Sequence, residues 1–259
     1  MKKLLITLVI LAVIIPNTHA QTNVGFGLQL GVPMNEFRQN TQAVGAGVNL
    51  NLYKPIAPKV PVYIGFNLGY MLYGSYTQQI NEQLGLFDSN GNAIGQTIPV
   101  LLDVTTNNNM FNSNVALRIK APFASVQPYI EGLAGFNYLY TRTSIYDQTQ
   151  NKMFIRDPNQ ESRLINARTQ AQAFVWQYGA GGGILLKIGE NVSLDIRGMY
   201  TIGGRATYFD RSQSQQWRVQ FTGQGQGQND PVKLDTQDGT PKKSNTDLFL
   251  INFGLSFDL

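Results

Sequence analysis

The chain has 259 residues, no cysteine, one histidine and a formal net charge of +4. Disulfides and thiolate chemistry are therefore excluded, and the charge is too small to argue for nucleic acid as a partner. Charged residues are only 14% of the sequence, against about 25% in an ordinary soluble domain.

The first twenty residues read as an export signal. Lys2 and Lys3 precede an apolar run, LLITLVILAVII, over 4–15; Pro16 breaks it, and Thr18-His19-Ala20 ends on a small residue. This is the order of a secretory signal peptide, so 1–20 is expected to be cleaved and the mature domain to span 21–259. A retained anchor is the alternative, but the run falls short of the ~20 apolar residues a spanning helix needs. No cysteine follows the run, which excludes a lipoprotein route. Cleavage removes His19, the only imidazole. A Ser-His-acid triad and a zinc site built on imidazole or thiolate then have no residues to form them. Loss of Lys2 and Lys3 lowers the formal charge from +4 to +2.

After Gln21 the sequence is built from period-two segments, the pattern of half-buried strands. In VGFGLQLGV, Val24, Phe26, Leu28, Leu30 and Val32 share one face, with Gly25, Gly27, Gln29 and Gly31 on the other. VGAGVNLNL sets Val44, Val48, Leu50 and Leu52 against Gly45, Gly47, Asn49 and Asn51. VYIGFNLGYML, FNSNVALRIK, YIEGLAGFNYLY, FVWQYGAGGGILLKI and VSLDIRGMYTIGGR alternate in the same way. The eighth segment, LFLINFGLSFDL, places Phe249, Ile251, Phe253, Leu255, Phe257 and Leu259 opposite Asn252, Gly254, Ser256 and Asp258.

The connections alternate in length. Those after segments two, four and six are short (YKPIAPKVP, APFASVQ and GEN), while 74–109, 141–172 and 206–246 are long and polar. The first connection, PMNEFRQNTQA, is intermediate. Short turns at one end and long loops at the other, over an even strand count, mark an outer-membrane β-barrel. The weaker face is mainly Gly, Asn and Ser with few charges, which suits the crowded interior of a narrow barrel. The large residues would then face lipid. The predicted fold is all-β, an antiparallel up-and-down transmembrane barrel of eight strands, with ten as the alternative.

Aromatic girdles are expected at both rims. Tyr70, Tyr73, Tyr138, Tyr140, Phe174, Trp176 and Tyr200 lie toward the long-loop ends, and Tyr53, Tyr63, Tyr129 and Phe257 toward the short turns. Four apolar residues fall on the nominal inside: Leu133, Leu139, Val175 and Leu185. The run IPVLLDV at 98–104 is strand-like and unassigned. With LGLF and SNGN before it, it could form an exposed hairpin or raise the count to ten.

On these features the chain resembles the small outer-membrane barrels of the OmpA/OmpX type. It is similar in layout to the broad outer membrane protein β-barrel family that includes PorT-like proteins. The resemblance covers nearly all of 21–259. Its terminal strand FLINFGLSFDL resembles the signal read by the barrel-insertion machinery, with Phe253, Leu255, Phe257 and Leu259 as the signal residues. Family members usually end on an aromatic residue, whereas this chain ends on Leu259. The resemblance implies an outer-membrane address and an accessory role in an export, assembly or adhesion system, with a protein partner in the envelope.

The inward charges form the main candidate site. If Lys120 pairs opposite Tyr129 across the short turn, Arg118 sits opposite Glu131, facing inward. Asp195 and Arg197 lie inside on segment seven. Charges in a low-dielectric lumen must be paired, so a polar network of Arg118, Glu131, Asp195 and Arg197 is expected. It could simply fill the barrel, or line a narrow pore or proton path; an eight-stranded barrel is already filled by its side chains. GAGGG at 179–183 lacks the Lys-Ser/Thr and the helix of a phosphate loop, and reads as close packing. The loop carboxylates show no calcium-loop spacing. No catalytic residue, metal or cofactor is expected. In the third long loop QWRVQFTG alternates Trp217, Val219 and Phe221, which could extend strands above the membrane or meet a protein partner.

Overall fold

A computed structural model describes residues 22–41, 43–57, 60–87, 93–122, 125–149, 163–209, 218–221, 232–235 and 240–259. The expected signal peptide and Trp217 lie outside them. The elements, in chain order, are β1 (Asn23–Pro33), α1 (Asn35–Asn40), β2 (Gly45–Pro55), β3 (Val62–Phe87), β4 (Ala93–Lys120), β5 (Val126–Asp147) and β6 (Leu164–Lys187). There follow β7 (Val192–Gly203), β8 (Arg205–Tyr208), β9 (Arg218–Phe221), β10 (Val232–Asp235), β11 (Lys242–Asn245) and β12 (Leu248–Asp258).

Eight of these strands close into one barrel in the order β1-β12-β7-β6-β5-β4-β3-β2. Every adjacent pair is antiparallel, and β1 closes against β12 with Asn23 opposite Asp258 and Pro33 opposite Leu248. The wall obeys the alternation of the sequence. Leu28, Ile130 and Trp176 point outward and are 63%, 64% and 73% exposed. Gln29, Asn112, Glu131 and Asn252 point inward and are buried. A wall this apolar is stable only against hydrocarbon or another apolar surface.

The strands are of two lengths. β1, β2, β7 and β12 have 11 or 12 residues, about what a tilted strand needs to cross a bilayer. β3, β4, β5 and β6 have 22 to 28. β3 loses β2 as a neighbour above Leu72 but keeps pairing with β4 up to Phe87 and Ala93. At ~3.3 Å per residue, 74–87 runs about 45 Å along the strand. Half of the wall therefore rises past the other half as a four-stranded sheet. The run at 98–104 belongs to this rise: Ile98 pairs with Leu84 and Val104 with Gln78. It is one arm of an exposed hairpin, with LGLF at 84–87 in the other arm, that continues β3 and β4 above the common wall; it adds no barrel strands, and the barrel count is eight. Much of 74–109 and 141–172, expected as loop, is strand.

Two irregularities mark where the tall strands leave the common wall. The β3–β4 register shifts between Leu72 and Gly74, and the β5–β6 register shifts between Thr141 and Arg142. Such bulges sit typically at barrel rims and re-aim the strand. Pro99 lies on β4 where β5 does not yet pair, since that ladder begins at Leu102. Its missing N–H thus leaves no bond to β5 unmade. The remaining long connection carries two short ladders, β8 with β11 and β9 with β10, and neither joins the ring. β9 holds Val219 and Phe221. It pairs with β10 and does not prolong a barrel strand.

Candidate functional site

The lumen is filled in three layers, each set by which residue takes the inward positions. At the short-turn end is an ionic layer. Arg118 and Glu131 are register partners on β4 and β5, and Arg118 Nε donates to Glu131 Oε2 at 2.7 Å. Glu131 Oε1 accepts from Arg197 Nη1 at 3.0 Å and from Asn67 Nδ2 at 3.0 Å. Arg118 Nη2 lies 3.7 Å from Asp195 Oδ2. The structure thus brings Arg118, Glu131, Asp195 and Arg197 into one cluster of two cations and two anions. Arg118 is 0% exposed.

Burial of these charges is offset by more than ion pairing. The Arg118 guanidinium lies between two tyrosine rings, 3.8 Å from the Tyr53 centroid and 3.9 Å from that of Tyr129. Desolvated contacts of this kind contribute about 2 kcal/mol or more. Tyr129 donates to Asp195 Oδ1, and Tyr53 donates to Asn67 Oδ1 at 2.9 Å. Arg197 Nη1 also donates to the Tyr53 hydroxyl, and its Nη2 to Asn51 Oδ1, both at 3.1 Å. Below them Lys120 Nζ stands 4.2 Å from the Tyr63 ring centroid.

This corrects the short-turn girdle. Tyr53 and Tyr129 are buried and form part of the ionic layer, and Tyr63 turns its ring to Lys120. Their height along the wall suggests a girdle, but parity decides: each shares its face with an inward residue, Asn51, Asn67 or Glu131. Tyr73 is corrected for the same reason, being buried inside. Tyr70, Phe174 and Trp176 do face outward. Parity is the signal in the sequence that could have found all of them.

Above the ionic layer is a belt of amides that includes Gln29, Asn49, Asn112, Asn137, Gln177 and Asn252, all buried. Above that is an apolar plug. Met71, Met110, Leu139, Met199, Leu248 and Leu250 cluster with Tyr73, Tyr208 and Phe37. Leu133 and Val175 belong to the same cluster, and Leu185 is also buried. The apolar residues on the inner face are thus lumen filling.

The plug is capped from outside the wall. α1 lays Phe37 across the mouth, 5.6 Å from the Tyr73 ring and 5.4 Å, edge-on, from that of Tyr208. Asn35 fixes the entry to this helix. Its φ is 49°, a left-handed conformation that asparagine tolerates better than most residues. Its Nδ2 donates to Asp247 Oδ2 at 2.8 Å and to the Tyr200 hydroxyl at 2.9 Å. Asp247 Oδ1 accepts from the Gly203 amide at 3.1 Å. None of Asn35, Phe37 and Asp247 stands out in the sequence. Asn35 meets Tyr200 and Asp247 from 165 and 212 positions away, and no local pattern announces such contacts.

Among the described residues, no three His, Cys, Asp or Glu side chains gather to hold a metal ion. Phe253 lies on the outer face of β12 and is exposed, Phe257 stacks on Phe26 at 5.8 Å, and Leu259 is exposed beyond the strand's end.

No family model and no curated protein matches the chain. Solved structures do. A major outer membrane protein from Thermus thermophilus is similar at 11% identity, with 93% of this chain and 100% of that one covered and a TM-score of 0.43. Ail, the attachment invasion locus protein of Yersinia pestis, is similar at 9% identity, with 93% and 99% covered and a TM-score of 0.39. Neisserial surface protein A is similar at 10% identity, with 93% and 98% covered and a TM-score of 0.38. Scores this low carry no functional argument, and the eight-stranded barrel rests on its own closed ladder.

Proposed function

We propose that the chain is a non-enzymatic outer-membrane protein that crosses the lipid as a closed barrel and works through its raised rim. On this reading 1–20 is its export signal, and Phe253, Leu255 and Phe257 on β12, with Leu259 just beyond it, serve its insertion. The observation that carries the proposal is the unequal height of the wall. β3 to β6 continue far past the apolar band, while β1, β2, β7 and β12 stop at about its thickness. Strand pairing maintained over such a length is a rigid platform, and the filled lumen leaves that platform as the working surface. An accessory subunit of an export, assembly or adhesion system fits both the platform and the PorT-like layout of the sequence.

The test is recovery of a partner. Tyr76 faces Thr106 across the β3–β4 ladder, so 77–105 can be replaced by a two-residue turn without disturbing the pairs below. Full-length protein, pulled down in detergent from its native envelope, should bring a stoichiometric partner that the shortened protein loses. Equal recovery with the shortened rim would remove the basis of the proposal. In planar bilayers the intact protein should conduct no more than the bare membrane. A steady conductance abolished by Glu131→Ala would instead make the protein a narrow channel.

A further inference from the structure

Inward residues of five successive strands meet in one layer of the amide belt. Gln29 on β1 is the register partner of Asn252 on β12. Gly69 on β3 is the partner of Asn49 on β2 and of Asn112 on β4. Between them lies a cavity of about 10 Å³, whose lining includes Gln29, Asn49, Asn112 and Asn252. This is close to the volume that admits one water molecule, ~10–15 Å³.

Four amide atoms around it lack a partner: Gln29 Nε2 and Asn112 Nδ2 are donors, Asn49 Oδ1 and Asn252 Oδ1 are acceptors, and Arg197 Nε of the same lining is a third unpartnered donor. All four residues are more than nine-tenths buried. Buried polar atoms are nearly always paired, and a water molecule offers two donors and two acceptors. A bare cation would meet only two of these oxygens and would be repelled by the two N–H groups. Gly69 leaves room for two of these amides: a Cβ there would come 2.5 Å from Asn112 Oδ1 and 2.6 Å from Gln29 Oε1 and would displace them.

We propose that Gln29, Asn49, Asn112 and Asn252 bind one long-lived internal water, which joins β12, β1, β2 and β4 across the seam where the barrel closes. Neither the ion pairs below nor the apolar plug above supplies hydrogen bonds to these four atoms. The water therefore ties the closing strands together at mid-wall.

The experiment is water-to-protein magnetisation transfer by NMR on the full ¹⁵N-labelled barrel in detergent micelles. The side-chain amide protons of Gln29 and Asn112 should show cross-relaxation with a water that resides for longer than nanoseconds. Gly69→Ala and Asn252→Leu should each abolish both signals, while the Arg118 Nε proton keeps its shift. If Gly69→Ala does not fold, wild type and Asn252→Leu still decide. Absence of both signals in wild type would overturn the proposal, as would their persistence in a folded Asn252→Leu chain. A crystal soaked in rubidium with anomalous density at this position would overturn it in favour of a cation.

Discussion

Arg118 and Glu131 face one another across the β4–β5 ladder with 2.7 Å between Nε and Oε2, and neither side chain meets solvent. Removing one partner of such a pair leaves a buried charge unmatched, at a cost of about 3–5 kcal/mol. Glu131 serves two guanidinium groups, so Glu131→Gln should fall at the upper end of that range. Urea unfolding in micelles, followed by tryptophan fluorescence, measures it. Equal, additive losses for Arg118→Met and Glu131→Met singly and together would show that the two do not act as a pair.

Tyr53 separates two contributions. Tyr53→Phe keeps a ring against Arg118 but loses the bonds to Asn67 and from Arg197, and should cost roughly 1–2 kcal/mol. Tyr53→Leu loses the ring as well and should cost about 2 kcal/mol more. The same unfolding measurement applies, and a leucine variant as stable as the phenylalanine variant would remove the cation–π contact from the account.

Phe37 closes the mouth by packing between Tyr73 and Tyr208. Phe37→Ala should cost about 3–5 kcal/mol at this site and loosen the cap ahead of the wall. Hydrogen exchange should then accelerate at the amides of Asn245 and Thr246, which bond Glu36 and Gly203. Amides of β5 near Glu131 should keep their protection. Uniform acceleration of both sets would mean that the cap is not a separate unit.

A single charge can map the lipid band. Leu28→Arg, at mid-height of β1 on the outer face, should cost ~2–4 kcal/mol, the range for a cation near the bilayer midplane. Thr77→Arg, exposed on the raised part of β3, should stay within ~0.5 kcal/mol. Folding into lipid vesicles, read as the heat-modifiable shift on a gel, compares them. Similar costs at both positions would place the rise inside the membrane.

Most of the wall is legible in the sequence because the side-chain period of a strand is strictly two. Once Phe253 is set outside, Asn252 has to be inside. The Arg118–Glu131 pairing follows from a short turn and a counted register. What escapes is of two kinds. Height along the strand puts Tyr53, Tyr73 and Tyr129 in a girdle, although the same alternation puts them in the lumen. Parity outranks residue type here because a turned tyrosine can bury its ring and still satisfy its hydroxyl. The cap at Asn35, Phe37 and Asp247 and the rise of β3 to β6 depend on contacts far apart in the chain, or on pairing that continues through Gln, Asn and Thr. Polar strand and polar loop have similar composition, so within 74–109 only IPVLLDV at 98–104 reads as strand, and its polar neighbours do not separate the one from the other.

The pairing of β1 with β12 has a consequence for how the molecule is made. On one flank β1 has β2 beside it in the chain, but on the other Asn23 waits for Asp258. Until β12 is in place the wall is an unfinished sheet with two raw margins. Hydrocarbon offers nothing to bond to their N–H and C=O groups. Entry into the membrane is therefore not a strand-by-strand affair. β1 must keep its unpaired margin out of the hydrocarbon until β12 arrives, so that closing the ring and entering the lipid go together.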